Sequence, residues 1–365
     1  MEALINRNDL EGQAPATISD VQRLSSYSWI ESPEPTIAVP GIPHKWQPPK
    51  TRNPLPKDSG FHYIAQNAAR HPDSPMEPLF RAIYQADSSF DMRGIDVVTD
   101  RNNMRKLLSF VDPRSDRHGL QAFTIHAELA GEKTVILSRV EAQTHRFIGP
   151  DMFRGYGYEF EKAYTTCEIP HSTGHHRIIR YCFGGLNYVV RYEADAYVDP
   201  ADDPGAPAGN DQNPLADING NVEGFSLESG SRLTVRKQGR ITPLESTLEI
   251  KTRPASKPIS INDVASQLWI SQTSKLVRAH YRGGMFKEAF VEDVVDKIAA
   301  WEQTQQPHLK KLAALMTKLT DLVKGFGGSC VIRCCSKGAD ELVIQKMEDG
   351  KPMLPLDLYS KWTRN

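Results

Sequence analysis

One predicted strand constrains this chain more than any other stretch, and it covers residues 246–253. Within it Leu248 and Ile250 alternate with Glu249 and Lys251, which predicts a β-strand with one face on a core and the other carrying charges. A carboxylate and an amine two residues apart on one strand face can serve a single site. Taken alone, the pattern also fits an ordinary exposed strand, because charged strand faces are common.

A second acidic pair lies upstream, where Glu193 and Asp195 share the face of another predicted strand. Three convergent carboxylates, these two and Glu249, would repel one another strongly unless a cation held them together. Hard oxygen ligands of this kind favour Mg²⁺ or Mn²⁺, and Lys251 could orient or polarise an attacking water. The residues therefore indicate a metal-dependent phosphodiester or phosphoanhydride hydrolase.

The totals limit the class of protein and its compartment. The chain of 365 residues has room for one large α/β domain or two smaller ones. Its five cysteines are an odd number without paired zinc spacing, which predicts free thiols and a location in the nucleus or the cytoplasm. We expect no signal peptide and no membrane span, since no stretch approaches about 20 apolar residues. A net charge of −1 means that any nucleic-acid binding must come from local basic patches and metal ions.

The pattern along the chain predicts a mobile N-terminal tail over residues 1–24, followed by a single domain over residues 25–365. Residues 199–224 are rich in Pro, Gly, Asn and Asp, which favours a flexible insertion inside that domain. Residues 293–325 are predicted to be mostly helical, with a break at Pro307.

A further candidate is Gln272, in a helix predicted from Asp263 to about Lys275. Its amide falls on the same helix face as the apolar Leu268 and Trp269, and a buried amide without partners costs about 1–3 kcal/mol. The side chain therefore either points into a polar site beside the carboxylates or forms hydrogen bonds to the backbone within the core. The sequence leaves both interpretations open.

Basic residues also accumulate on or beside the predicted central strands. They form an RNA-binding track if several of them face a cleft, and otherwise a solvated sheet face. They are Arg177, Arg180, Arg191, Arg232, Arg236, Lys237, Arg240 and Arg253.

The order of the short motifs along the chain, more than any single motif, resembles the decapping exoribonuclease (DXO) family and its relative, a nuclear RNA pyrophosphohydrolase that partners a 5′-to-3′ exoribonuclease. The likeness spans roughly residues 95–290 and is closest to a fungal-type branch. Two departures concern Asn102, where the family commonly has glycine, and the run that follows Gln272. The motifs are Thr99-Asp-Arg101, Gly157-Tyr-Glu-Phe-Glu161, Glu193-x-Asp195, Leu248-Glu249-Ile-Lys251-Thr252 and Gln272.

This resemblance implies an α/β fold related to the PD-(D/E)XK nucleases, with mixed β-sheets packed by helices, and a pocket with a divalent-metal site at its base. It implies one or two Mg²⁺ or Mn²⁺ ions held by Glu161, Glu193, Asp195, Glu249 and the carbonyl of Ile250. The implied catalytic residues are Glu161, Glu193, Asp195, Glu249, Lys251 and Gln272. The implied substrate-binding residues are Arg101 for a 5′-end phosphate, with Lys251 and Gln272 beside the scissile phosphate.

The function implied by the resemblance is hydrolysis at RNA 5′ ends during mRNA 5′-end quality control. The group removed would be a triphosphate, an incomplete guanosine cap or an NAD cap, with or without 5′-to-3′ exoribonuclease activity. Two alternatives stay open. One is a restriction-like DNA nuclease, since the same acidic and lysine motif cleaves DNA. The other is a catalytically silent RNA-binding partner of an exoribonuclease.

Overall fold

The computed structural model describes residues 1–12, 15–199, 201, 231–348 and 350–363. The strands in this part of the chain are β1 (Glu2–Asn6), β2 (Ile18–Ile30), β3 (Thr36–Gly41), β4 (Lys45–Trp46), β5 (Gly60–Tyr63), β6 (Val97–Asp100), β7 (Phe123–Ala130), β8 (Thr134–Val140), β9 (His145–Ile148), β10 (Thr165–Thr166), β11 (Ser172–Phe183), β12 (Leu186–Ala194), β13 (Ala196–Tyr197), β14 (Thr234–Gly239), β15 (Thr247–Pro254), β16 (Lys275–Arg282), β17 (Met285–Phe286), β18 (Val291–Asp293), β19 (Ser329–Cys334) and β20 (Glu341–Lys346). The α-helices are α1 (Gln66–Arg70), α2 (Glu77–Ala86), α3 (Arg101–Val111), α4 (Gly157–Tyr164), α5 (Ala265–Ser271), α6 (Val295–Phe326) and α7 (Leu356–Tyr359). None of these helices is long and apolar enough to cross a membrane.

A large mixed sheet of eleven strands forms the centre of the molecule, in the order β1-β20-β19-β7-β8-β6-β12-β11-β2-β3-β14. Its middle strand pairs, β12 with β6 and β6 with β8, are parallel, while β11 and β12 form an antiparallel hairpin. Strands in the middle of a sheet need covering on both faces. The two largest hydrophobic cores among the described residues lie on these two faces.

Neighbouring residues of the central strands belong to opposite cores, as the alternation of side chains along a strand requires. On β11, Ile179 packs in the core that includes α3, α5 and α6, whereas Ile178 packs in the core that includes α2 and α7. The same alternation occurs on β12, with Val190 in the first core and Val189 in the second. The apolar pattern of the two strands is therefore satisfied only by a layer of helices on each side.

A second, smaller sheet carries β15, which contains Glu249 and Lys251. Its order is β10-β4-β13-β15-β16-β17, and β18 also pairs with β16. Leu248 and Ile250 of β15 pack in a core with Phe160 of α4, so the predicted inward face is confirmed. The helix α4 thus covers this second sheet.

The long helix α6 runs without interruption through Pro307, so the predicted break is wrong. A proline inside a helix removes one backbone hydrogen bond and strains the preceding turn. The apolar side chains that follow, such as Leu309, Leu312 and Leu319, are fully buried against the large sheet. Their burial outweighs the local cost of the proline.

The predicted mobile tail is also wrong, because β1 forms the edge of the large sheet, antiparallel to β20. Ile5 has no accessible surface, and β2 already begins at Ile18. The polar composition of the first residues reflects an edge strand with one solvated face. The flexible insertion predicted at 199–224 lies almost wholly outside the described residues.

A third sheet has only two strands, β5 and β9, and lies beside the cavity described below. The strands are antiparallel, with Phe61 opposite Phe147 and His62 opposite Arg146. Residues 64–68, which follow β5 directly, line that cavity.

Candidate active site

The acidic candidates meet where the chain crosses from the large sheet to the small one. Strand β12 ends at Ala194 in the large sheet, and β13 begins at Ala196 in the small sheet, so that Asp195 is the single residue between them. Strand β15 pairs with β13 next to this crossing. The crossing therefore places Glu193 and Asp195 beside the charged face of β15.

Glu249 is the most buried of these carboxylates, with 2% of its surface exposed. Arg101 Nη1 lies 3.0 Å from Oε2, and both Lys251 Nζ and the amide of Gln267 donate to Oε1. Burial alone would raise the pKa of Glu249, but Lys251 and Arg101 outweigh it and lower the pKa to about 2. Glu249 is therefore an anion held by two cations and one amide.

Asp195 is held differently, by the backbone of the neighbouring strand. The N–H of Ile250 donates to Oδ2 of Asp195 at 2.7 Å. Burial, followed by repulsion from Glu249, raises the pKa of Asp195 to about 8, although Lys251 opposes the shift. Because the N–H and C=O of one strand residue point to the same side, the carbonyl of Ile250 also opens toward Asp195.

Glu161 and Glu193 complete the acidic group from two other elements. Burial and then repulsion from Asp195 raise the pKa of Glu161, on α4, well above its usual range. Burial raises the pKa of Glu193, and the negative charge of Glu249 adds to the shift, although Arg101 opposes it. Glu193 is nevertheless exposed to solvent, because its side chain lines a cavity.

The four carboxylates thus lie within electrostatic range of one another, and three of them bind protons more tightly than free carboxyl groups. Across the described residues, however, no three His, Cys, Asp or Glu side chains are gathered closely enough to form a ready metal-binding group. The two oxygens of Glu249 already accept hydrogen bonds from Arg101, Lys251 and Gln267. The four carboxylates are ligands that suit a hard divalent cation. Lys251 and Arg101 neutralise part of their negative charge.

A cavity of about 120 Å³ opens beside Glu193. Its lining includes residues 64–68 and four arginines, Arg101, Arg105, Arg139 and Arg191. Arg101 also lies over the ring of Tyr192, with 5.6 Å between its guanidinium carbon and the ring centroid. The cavity therefore combines an acidic wall with a cluster of guanidinium groups.

The structure does not bring Gln272 to the carboxylates. The helix α5 ends at Ser271, earlier than predicted, and Gln272 adopts a left-handed backbone (φ 52°) as its C-cap. Its side-chain Nε2 donates to the carbonyl of Trp269 at 2.5 Å. Of the two interpretations left open, hydrogen bonding to the backbone is the one the structure bears out, and the placement of Gln272 in the site is wrong.

Gln267 occupies the position expected of Gln272. It lies on α5, is 8% exposed, and reaches Glu249 across the two elements. The only signal in the sequence was a second glutamine in the same apolar helix. The predicted helix was too long at both ends. The helical pattern therefore did not show whether Gln267 or Gln272 reaches the site.

A second residue that the sequence analysis missed is Asp58, which caps the helix carrying Glu161. Its Oδ2 accepts from the N–H of Gly157 at 2.8 Å and its Oδ1 from the N–H of Glu159 at 3.1 Å. The absence of a side chain at Gly157 matters here, because a Cβ would lie 3.3 Å from Oγ1 of Thr252. The cap arrives from a distant segment, so no local pattern signals it.

Four of the eight basic residues on or beside the central strands are held by contacts within the fold. Arg177 and Arg191 are buried, and Arg191 pairs with Asp100 through Nε–Oδ1 at 2.7 Å and Nη2–Oδ2 at 3.0 Å. Arg253 and Arg240 also pair with carboxylates, of Asp263 and Glu168 respectively. These four arginines therefore stabilise the fold, and among them Arg191 also lines the cavity next to the carboxylates.

The sequence matches the family model described as "Domain of unknown function (DUF8563)" over residues 4–354. The chain belongs to this family. No curated protein matches the DUF8563 chain in sequence.

Solved structures with a similar fold come from the fungal Rai1 and Dxo1 proteins. S. pombe Rai1 is 12% identical with a TM-score of 0.59, covering 95% of this chain and 100% of that chain. Candida albicans Rai1 in complex with pU5 and Mn²⁺ is 12% identical with a TM-score of 0.62, covering 99% of both chains. K. lactis Dxo1 in complex with manganese is 8% identical with a TM-score of 0.55, covering 96% of this chain and 100% of that chain. The predicted resemblance to the DXO family and the mixed α/β fold class are thereby confirmed as a likeness of fold.

Proposed function

We propose that this DUF8563 protein is a divalent-metal-dependent hydrolase that acts on the 5′ ends of RNA. The observation that supports it best is the group of four carboxylates at the crossing between the two sheets, with Lys251 and Arg101 on Glu249. Such a concentration of negative charge is costly unless cations enter it. Rai1 proteins of similar fold bind pU5 with Mn²⁺ in one solved structure and 3′-FADP in another.

In this proposal, Glu161, Glu193, Asp195, Glu249 and the carbonyl of Ile250 hold one or two Mg²⁺ or Mn²⁺ ions. A bound ion would stabilise the charge that grows on phosphoryl oxygens and lower the pKa of a bound water.

The chain's own residues supply the remaining functions. Lys251 and Gln267 hold Glu249 in place, and Lys251 stays protonated because Glu249 raises its pKa against the opposing effect of burial. Its ammonium can therefore orient the scissile phosphate or the attacking water. Arg101, at the boundary between Glu249 and the cavity, is placed to bind a 5′-end phosphate through its planar fork.

The size and polarity of the cavity suit a phosphorylated end better than a duplex. A volume of about 120 Å³ with four arginines on its wall accommodates one terminal group, whereas a DNA duplex needs a wider, open surface. We further propose a role in mRNA 5′-end quality control, in the nucleus or the cytoplasm, with a 5′-to-3′ exoribonuclease as the expected partner.

The deciding experiment uses short RNAs labelled near the 3′ end that carry a triphosphate, monophosphate, hydroxyl, guanosine cap or NAD at the 5′ end. Each is incubated with the protein and Mg²⁺ or Mn²⁺. We expect release of an intact 5′ group, and loss of that release in the Asp195→Ala and Glu161→Gln variants. Glu159→Gln is the matched control, since residues two apart on a helix do not face the same side.

Metal binding has a readout that does not depend on turnover. Because a cation stabilises the ionised forms of Glu161 and Asp195, Mn²⁺ is expected to raise the melting temperature of the wild type and to do so less in Asp195→Asn. Calorimetric titration with Mn²⁺ measures the same affinity directly.

Cleavage of DNA but of no RNA would favour the restriction-like nuclease. RNA binding without turnover, together with no response to Mn²⁺, would favour a silent binding partner.

A further inference from the structure

The four carboxylates of the candidate site differ in how the protein holds them. Glu249 accepts hydrogen bonds from three donors, and Asp195 accepts one from the N–H of Ile250. Within the described part of the chain, the side chains of Glu161 and Glu193 accept no hydrogen bond, and only burial and nearby charges act on them. Glu193 is also the most exposed of the four. Its oxygens are therefore the ones most open to a cation that enters from solvent.

A side-chain amide lies next to Glu193 on the wall of the same cavity. Gln66 is the first residue of α1, lines the cavity and is 5% exposed. The two side chains meet at Gly174 of β11, where a Cβ would lie 2.3 Å from Oε1 of Gln66 and 3.2 Å from Oε1 of Glu193. The missing side chain of Gly174 therefore makes room for the two oxygens to approach a single point.

Strand alternation places these groups on one face of the large sheet. Gly174 and His176 are two residues apart on β11, and His176 is the register partner of Glu193 on β12. Asn67 of α1 accepts from the hydroxyl of Tyr27, whose ring stacks on His176 with centroids 5.1 Å apart. The helix α1 thus covers the same face and carries Gln66 to Glu193.

The hydrogen bonds around Gln66 decide which end of its amide faces Glu193. The hydroxyl of Thr173 donates its one hydrogen to the carbonyl of Trp29 at 3.4 Å, so it can only accept from Nε2 of Gln66, which lies 2.8 Å away. The other end of the amide, Oε1, is 3.4 Å from Nε2 of His176. An amide oxygen has two lone pairs, so this contact leaves one lone pair free.

An ionised carboxylate and an amide oxygen are both acceptors, and neither can donate a hydrogen bond to the other. Their approach is favourable when a cation or a donor lies between them. Carboxylate and amide oxygens together are ligands that Mg²⁺, Ca²⁺ and Mn²⁺ accept in proteins. The cavity of about 120 Å³ beside them also has room for waters at about 30 Å³ each, which a partly hydrated Mg²⁺ or Mn²⁺ retains.

We propose that the amide oxygen of Gln66 is a further ligand, direct or through one water, of the divalent cation that Glu193 holds. This inference rests on the proposed function, because it takes a cation to bind at the carboxylates. It adds a neutral oxygen from the cavity wall to a set of ligands otherwise made of carboxylates and one backbone carbonyl. Gln66 belongs to none of the motifs that predict the metal site.

The test measures Mn²⁺ binding without RNA and without turnover. The full chain, freed of metal with a chelator, is titrated with Mn²⁺ by calorimetry. We expect Gln66→Met, which keeps the length of the side chain without its oxygen, to weaken Mn²⁺ binding by about tenfold. We expect Gln66→Glu to tighten it by about tenfold, because affinity rises with the charge of the ligands. An amide that only supported the fold would give a loss in both variants.

Asn67→Asp is the matched control for the added charge. Asn67 lies on the same helix and lines the same cavity, but its Oδ1 already accepts from Tyr27 at 2.6 Å and from Trp29 at 2.9 Å. We expect a much smaller gain in Mn²⁺ affinity than in Gln66→Glu. Gly174→Ala should weaken binding as Gln66→Met does, because the new Cβ would displace the amide oxygen.

Melting temperatures show whether the variants are folded and give a second measure of metal binding. Without metal, Gln66→Glu should melt below the wild type, since a fifth carboxylate adds repulsion, and Mn²⁺ should raise its melting temperature by more. Unchanged Mn²⁺ affinity in Gln66→Met would overturn the proposal. Equal gains in Gln66→Glu and Asn67→Asp would do the same, because they would reflect only the added negative charge.

The outcomes separate this inference from the proposed function. Mn²⁺ binding that depends on Gln66, without turnover of any RNA, would support the ligand and contradict the hydrolase. RNA turnover and Mn²⁺ binding that depend on Asp195 but not on Gln66 would support the hydrolase and contradict the ligand. Absence of Mn²⁺ binding in the wild type would overturn both.

Discussion

The side-chain amide of Gln267 donates a hydrogen bond to Oε1 of Glu249, the carboxylate that also binds Lys251 and Arg101. Three donors thus hold one buried anion, and two of them, Lys251 and Arg101, are site candidates predicted from the sequence. Removing the amide would leave Glu249 free to turn away from its place beside Lys251. Gln267 is therefore expected to position the site, although it belongs to none of the predicted motifs.

We predict that Gln267→Ala lowers kcat on 5′-phosphorylated RNA by about 10- to 100-fold, the usual effect of losing a group that orients a site residue. Gln272→Ala should leave kcat almost unchanged, because its amide bonds the backbone of Trp269. Steady-state kinetics of the two variants, with Mn²⁺ titration of each, decides between the two glutamines. A larger loss in Gln272→Ala would refute this placement.

Asp58 is predicted to stabilise the helix that carries Glu161. Asp58→Ala leaves two backbone N–H groups of α4 without their acceptor, and loss of an N-cap costs about 1–2 kcal/mol. Urea denaturation should show this loss in the free energy of unfolding, and kcat should fall as well, because α4 positions Glu161. Asp87→Ala is the control, since Asp87 caps only an exposed turn at Ser89, and unchanged stability in Asp58→Ala would contradict the cap.

The buried pair of Arg191 and Asp100 is predicted to be costly to break on one side only. Both residues lie next to site residues, and they are paired in register across β12 and β6. Arg191→Met leaves the charge of Asp100 buried without its partner, which costs about 3–5 kcal/mol.

Adding Asp100→Asn to Arg191→Met should restore part of that stability, because no unpaired charge then remains. The side chain of Asp100 does not cap α3, so its replacement has no separate effect on the helix. Strictly additive losses in the double-mutant cycle would show that the two charges are not coupled.

Acid stability is predicted to depend on Glu77, a carboxylate with no accessible surface. His71 donates to it at 2.7 Å and Arg81 at 3.0 Å. Burial alone would raise the pKa of Glu77, but the hydrogen bonds from His71, Ser231 and Arg81 outweigh it and lower the pKa. A carboxylate with a lowered pKa in the folded state contributes stability above its unfolded pKa of about 4.3, and that stability is lost as the pH falls through the folded value.

The variant Glu77→Gln should therefore be less stable than the wild type at pH 7 and approach it as the pH falls below about 4. Urea denaturation at pH 7, 5 and 3.5 measures the difference. Glu34→Gln serves as a control, because Glu34 is an exposed carboxylate and should not alter the pH profile. A constant gap between Glu77→Gln and wild type across this range would rule out the linkage.

The sequence by itself determined the parts of this protein that depend on local periodicity. The alternation of Leu248 and Ile250 with Glu249 and Lys251 specifies which face of β15 is buried, since successive strand residues point to opposite sides. The spacing of Glu193 and Asp195 likewise indicates a shared face, and the order of the motifs indicates the fold. In the structure these residues, with Glu161 and Arg101, lie in one region, while their catalytic roles remain predictions.

Only the tertiary structure decided what completes that region. Asp58 is 99 residues from Gly157 along the chain, and Gln267 is 18 residues from Glu249, so neither contact has a local pattern. The ends of α5, the uninterrupted α6 and the pairing of β1 with β20 were also set by packing. In each case, burial of apolar surface and completion of hydrogen bonds with distant segments outweighed the local preference. That is why the sequence predicted the charged strand correctly but not the glutamine that holds it.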